Sequence, residues 1–185
     1  MAHAADPPVP NRPPRIAVYP GVFDPPTLAH LEIVETALAL FDRVIVVVAF
    51  NPGKPRALFT PEERVELMRE SLSEAMRPYV EVEAYPGLIA PYAESRGACA
   101  LVRGMRPYAD ADAEIALALM NQKLAPTIPT LLLVTSARNV YLSSTFVRDT
   151  ATLGRLIVPG SVPPPVEAAL RRRFSSDLDG SPPDT

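Results

Sequence analysis

A single histidine, His30, stands in the body of this chain, and the other, His3, lies within the first 14 residues. A catalytic pair of histidines or a multi-histidine metal site is therefore excluded. His30 closes the segment Tyr19-Pro20-Gly21-Val22-Phe23-Asp24-Pro25-Pro26-Thr27-Leu28-Ala29. Of the 18 basic residues, 16 are arginine and only Lys54 and Lys123 are lysine. Lys54 and Arg56 share the segment Asn51-Pro52-Gly53-Lys54-Pro55-Arg56, and a second pair frames Arg103-Gly104-Met105-Arg106. Ser143, Ser144 and Thr145 follow one another, with Arg148 one helical turn on. Each group has an ordinary reading: a capping histidine, a solvated lysine, salt bridges to Asp110, Asp112 or Glu114, and a hydroxyl helix cap. Together they describe phosphate chemistry. Guanidinium forks and helix N-termini bind phosphate oxygens, an imidazole adds a donor, and a glycine lets backbone approach a ligand. The pattern is neither the P-loop nor G-x-G-x-x-G.

Positioning these groups falls to an alternating series of strands and helices. Residues 15–19 and 43–50 read as buried strands, the second a continuous β-branched run typical of a central parallel strand. Further strands are expected at 80–84, 99–102 and 130–134, and helices at 29–41, around 88–97, at 110–124, from near 144, and at 166–174. Thr60-Pro61-Glu62-Glu63 is a capping box opening a helix with Val65, Met68, Leu72 and Ala75 on one face. This order predicts an α/β class, with a single doubly wound Rossmann-like domain and a five-stranded parallel sheet. Ligands of such sheets bind beyond the carboxyl ends of the strands, which points to residues 20–29, 50–59, 85–90, 103–109 and 135–145. Four of those five segments carry anion-binding groups.

Composition agrees. The 185 residues suit one domain of 15–174 between a Pro-rich tail, 1–14, and a polar tail, 175–185, both expected to be disordered. A net charge of −3 argues against a general nucleic-acid or membrane-surface binder. With one cysteine, Cys99, there is neither an internal disulfide framework nor a zinc cluster. No membrane-spanning run and no secretory leader are seen, so a cytoplasmic location is expected.

The segments FDPPTxxH, NPGKP with LFTPEERVELM, LVRGMR and LSSTFVR occur in that order. In this the chain resembles the bacterial phosphopantetheine adenylyltransferases, members of the HxGH-type nucleotidyltransferases, from about Arg15 to Phe174. The resemblance implies AMP transfer from ATP to 4′-phosphopantetheine, giving 3′-dephospho-coenzyme A and pyrophosphate. It further implies Mg2+, a homohexamer and feedback inhibition by coenzyme A. It assigns His30, Lys54 and Arg103 to catalysis, with Val22, Lys54, Ile89 and Arg103 toward the acceptor. ATP falls to Val22, Phe23, His30, Gly104, Met105, Arg106, Glu114, Asn139, Val140, Tyr141, Leu142, Ser143, Ser144 and Thr145.

The chain departs from the family pattern at four places. Val22 stands for a usual threonine, Leu28 for asparagine or a similar residue, and Ala29 for glycine, while Asn139-Val140-Tyr141 replaces aromatic-Ser-Phe. Val22 has no hydroxyl to donate to a phosphate. Two alternatives stay open at this level: a related nucleotidyltransferase with another phosphorylated acceptor, and a nucleotide-binding regulatory protein without turnover. The phosphate nucleophile is already ionised near neutral pH, so no general base is expected.

Overall fold

In the computed structural model, residues 12–53, 57–106, 110–153 and 156–174 are described. Lys54 and Arg56 lie outside them, as do most of the two tails. Five strands, β1 (Ile16–Gly21), β2 (Arg43–Ala49), β3 (Val80–Tyr85), β4 (Ala100–Met105) and β5 (Thr130–Val134), pair in parallel in the order β3-β2-β1-β4-β5. The helices are α1 (Leu28–Leu40), α2 (Pro61–Ser71), α3 (Ile89–Ser95), α4 (Ala111–Leu124), α5 (Ser144–Thr152) and α6 (Pro164–Arg173). The chain runs outward from β1 to β3, then returns to β4 on the other side of β1. The switch point therefore lies between β1 and β4, the place where such folds hold ligands.

Alternation along the strands divides the core. Val44, Val46 and Val48 face α1 and α2, with Ile33, Val34 and Met68. Ile45 and Val47 face the opposite side, with Val18, Leu101 and the alanines of α3. A third cluster ties Phe59 and Leu67 to Val147 of α5 and to Val166 and Leu170 of α6.

Three departures from the sequence expectation bear on the core and the site. β4 does not end at Val102 but runs on to Met105, because Arg103, Gly104 and Met105 pair with Leu132, Leu133 and Val134 of β5. The arginine at 103 is thus set by sheet geometry and not by a loop. α2 stops at Ser71, where Leu72 turns to extended backbone, so Ala75 lies outside the helix and is exposed. Met76 packs against that core face instead. A 3-10 turn, Arg77–Tyr79, precedes β3 and has no counterpart in the expected elements.

Candidate active site

The turn after β1 is tightly built. A side chain at Gly21 would put its Cβ 2.6 Å from the Phe23 ring, so only glycine fits. Phe23 holds a left-handed backbone, φ 49°, which costs a bulky residue free energy and marks a strained functional turn. Its buried ring meets Tyr19 edge-on at 5.2 Å between centroids and His30 edge-on at 5.0 Å. α1 then begins at its N-cap, Thr27, and places His30 at its third position.

His30 is anchored through one ring nitrogen. The Thr27 backbone N–H donates to Nδ1 at 3.0 Å, and Thr27 Oγ1 lies 3.1 Å from the same atom. An N–H can be accepted only by a bare nitrogen, so the neutral ring carries its hydrogen on Nε2. Burial, and then the charges of Arg103 and Arg106, lower the His30 pKa to about 4. The ring is therefore a neutral donor at physiological pH, and its donor is the nitrogen left free by the cap.

The arginines of the β4 end are already paired. Arg103 donates from Nε and Nη2 to the two oxygens of Glu114, both at 2.7 Å, and from Nη1 to the Pro20 carbonyl at 2.6 Å. Two of the five guanidinium N–H groups remain for a ligand. Arg106 likewise grips Asp110 with Nε and Nη2, each at 2.7 Å. Burial opposes the charge of Arg103, but the hydrogen bonds and charge of Glu114 outweigh it and raise its pKa. The hydrogen bond from Arg106 holds Asp110 below the usual carboxylate range. Both the functional reading and the salt-bridge reading of these arginines thus apply: carboxylates at the start of α4 aim them at the switch point. Gly104, between them, is needed for packing as well, since a Cβ there would sit 3.0 Å from Ile33 Cγ1.

The three hydroxyls divide their tasks. Ser143 caps α5 by accepting from Phe146 N at 3.0 Å, and Ser144 Oγ donates to the Pro25 carbonyl at 2.8 Å. Thr145 Oγ1 accepts from Arg148 Nη2 at 3.1 Å.

A cavity of about 450 Å³ collects these groups, lined by Val22, Phe23, Ala29, His30, Arg103, Gly104, Arg106, Glu114, Leu142, Ser143, Ser144 and Thr145. A second, of about 780 Å³, opens over the end of β2 between α2, α5 and α6, and Val22 and Asp24 lie on its wall. Val22 is 58% exposed and borders both. The remaining expected site residues lie elsewhere. Ile89 packs against the Val18 core face. Met105, Val140 and Tyr141 are not on either wall. Asn139 is buried and donates to Glu32 at 2.7 Å, and Ser136 N–H donates to the same carboxylate at 2.8 Å. Burial disfavours the charge of Glu32, yet these bonds outweigh it and lower its pKa.

Sequence reasoning missed Asp24, Arg64 and Thr135. Asp24 and Arg64 are each 2% exposed, and charged side chains are rarely so buried without a structural or functional task. Thr135 lines the smaller cavity, and its hydroxyl has no partner. A carboxylate in a Pro-rich turn and an arginine in a capping-box helix look ordinary until the turn and the helix are brought together.

Residues 18–150 match the cytidylyltransferase-like family. With this fold the chain is a cytidylyltransferase-like nucleotidyltransferase. Among curated relatives, the phosphopantetheine adenylyltransferase of Carboxydothermus hydrogenoformans is 42% identical over 163 residues, 88% of this chain and 98% of the relative. That of Synechococcus sp. strain JA-3-3Ab is 46% identical over 159 residues, covering 86% and 98%. The chain belongs to the phosphopantetheine adenylyltransferase family. Among solved structures, a bifunctional NMN adenylyltransferase/ADP ribose pyrophosphatase from Francisella tularensis, complexed with AMP and a manganese ion, shares the fold. Its TM-score is 0.66 at 16% identity, and the match spans 89% of this chain and half of that one. A putative nicotinate-nucleotide adenylyltransferase from Vibrio parahaemolyticus gives 0.57 at 16% identity, covering 88% and 96%.

Proposed function

We propose that this chain transfers AMP from ATP to 4′-phosphopantetheine, releasing pyrophosphate and forming 3′-dephospho-coenzyme A. The observation that carries the reading is the meeting of His30, Arg103, Arg106 and the N-terminus of α5 around one switch-point cavity, in a chain of the phosphopantetheine adenylyltransferase family. An acceptor phosphate oxygen attacks the α-phosphorus in line. The bond to the bridging oxygen of the leaving pyrophosphate breaks, and that oxygen keeps the electron pair. His30 Nε2–H and the α5 N-terminus stabilise charge that grows on the transferring phosphoryl group. The remaining Arg103 N–H groups, with Lys54, hold the acceptor, and Ser143 to Thr145 with Arg106 hold the nucleotide. The nucleophile needs no base, and none is required of Asp110 or Glu114, which are committed to their arginines.

Among the described residues no three His, Cys, Asp or Glu side chains form a metal-ligand group. Mg2+ would be carried on the nucleotide phosphates with its own waters, as that ion prefers. Such an ion would neutralise phosphate charge. Self-association, which the resemblance makes a homohexamer, is supported by α4, whose Ile115, Leu119, Met120 and Leu124 are all exposed, apolar residues that a second copy would cover. No described helix is long and apolar enough to cross a membrane, and a cytoplasmic site of action and control by coenzyme A complete the reading.

Incubation with Mg·ATP and phosphopantetheine, with pyrophosphate release as readout, tests it. Because Val22 removes a hydroxyl donor, a second arm supplies other phosphorylated acceptors. Faster turnover with one of them would move the function to that acceptor. ATP binding with no pyrophosphate from any acceptor would leave a nucleotide-binding regulatory protein.

A further inference from the structure

Asp24 sits at the crossing of three carboxyl-end segments. Its side chain accepts from Leu58 N at 2.7 Å and from Phe59 N at 2.9 Å, the residues that lead into α2. Its backbone carbonyl accepts from Arg148 Nη1, and that guanidinium lies 3.7 Å from Asp24 Oδ2. Arg148 also donates to Thr145 Oγ1, at the nucleotide end of α5. A fourth tie comes from α2: Arg64 donates to the Val22 carbonyl at 2.9 Å and to the Thr60 carbonyl at 3.2 Å. The turn so held, Val22 to Asp24, contains the strained Phe23 whose ring abuts His30. A left-handed phenylalanine persists only when its surroundings over-determine it, and these contacts do so.

We propose that Asp24, Arg64 and Arg148 form a clasp that holds the acceptor-side segment, the β1 turn and the nucleotide-side helix in register for in-line attack. They are positioning residues, and the proposal rests on the nucleotidyl-transfer reading above. Two-substrate reactions of this kind depend on alignment, and a displacement of about 1 Å at the reacting atoms costs roughly 10²-fold in rate. A carboxylate suits the crossing because it accepts two N–H groups at once. An amide would turn a donor toward one of them.

The test uses Asp24→Asn, Arg148→Gln and the double variant in the full chain. In the unmodified protein, saturating Mg·ATP should slow amide exchange at Leu58 and Phe59, although neither borders the nucleotide cavity. In Asp24→Asn, exchange at those two amides should rise by about tenfold or more as one acceptor is lost. kcat should fall by roughly tenfold to a hundredfold, with the Kd for ATP within about threefold. The double variant should cost little more than the worse single one, since both break one clasp. Should Asp24→Asn not fold, Arg148→Gln alone must abolish the ATP-dependent protection at Leu58 and Phe59. The proposal is overturned if exchange quickens while kcat stays unchanged. It is equally overturned if Arg148→Gln weakens ATP binding tenfold and leaves the two amides as they were, which would make Arg148 a phosphate ligand. The exchange arm needs no acceptor. If unmodified protein protects these amides with ATP yet makes no product from phosphopantetheine, the functional reading fails and the clasp stands.

Discussion

The two ring nitrogens of His30 can be separated by substitution. The Oδ1 atom of asparagine lies where Nδ1 lies, and the Nε2 amide of glutamine lies where the ring Nε2 lies. His30→Asn should keep the Thr27 cap and a melting temperature near that of the unmodified protein, while kcat falls about 10²–10³-fold. His30→Gln, whose side chain can still accept from the Thr27 N–H at the third helical position, should retain more activity and much of the cap. Steady-state kinetics beside thermal melts decide between these outcomes. The His30 pKa of about 4 also predicts a pH dependence. The unfolded chain takes up this proton near pH 6.5 and the folded chain only near 4. The stability that His30 gives by staying neutral is therefore complete above pH 6.5 and is lost as pH falls toward 4. Urea titrations across that window should show a slope that His30→Asn lacks. Val22 borders both cavities and is mostly exposed, so Val22→Thr adds a donor without straining a core. A hydrogen bond to a charged phosphate is worth about 1.5–3 kcal/mol. The variant should accordingly raise kcat/KM for phosphopantetheine by about tenfold or more, and flat kinetics would point to another acceptor.

Between elements, α4 aims the end of β4. Glu114 sits one turn into α4 and spans two of the Arg103 nitrogens, while the third nitrogen reaches back to Pro20 on β1. Lysine at 103 has one nitrogen and cannot bridge a carboxylate, a carbonyl and a ligand together. Arg103→Lys should lose both acceptor affinity, by calorimetry, and stability, because Glu114 is left partly buried with a poorer partner. Glu114→Gln keeps the shape and weakens only the charge pairing, so it should disturb acceptor binding more than ATP binding. At α5, Ser143 supplies the cap, and Ser143→Ala should cost about 1 kcal/mol in urea unfolding. A matching fall in ATP affinity would show that cap and phosphate site are one structure.

At the scale of the whole molecule, the exposed apolar residues of α4 support the proposed self-association. Arg12 meets Asp42 at 2.9 Å with both groups exposed, and such surface pairs contribute little to stability. A chain of residues 15–174 should melt within a few degrees of full length and keep its kcat, as differential scanning calorimetry and the pyrophosphate assay would show. Of α4 only Asn121 is fully buried within the chain, while Ile115, Leu119, Met120 and Leu124 are exposed. If copies associate through this face as proposed, Leu119→Glu should give smaller species in light scattering without unfolding the monomer.

Much of this was legible in the order of residues. The alternation of β-branched runs with capped helices specified a parallel sheet, because a strand buried on both faces has no polar side to show. Carboxyl-end segments could then be named, and His30, Arg103 and the Ser143–Thr145 run do meet at one of them. What sequence could not decide was pairing across distance. β4 extends through Arg103 only because β5 lies beside it. Glu114 claims the fork of that arginine because α4 folds back over β4, and the single free nitrogen of His30 is selected by a backbone N–H three residues away. Asp24 and Arg64 look like turn and surface residues in the sequence. They became buried ties only when the segment leading into α2 packed against the β1 turn, since hydrogen-bond partners 34 or 42 residues apart leave no periodic mark on a chain. Composition and periodicity report what a residue avoids or covers, but a directional bond depends on where its partner's atom lies, and only the folded backbone sets that.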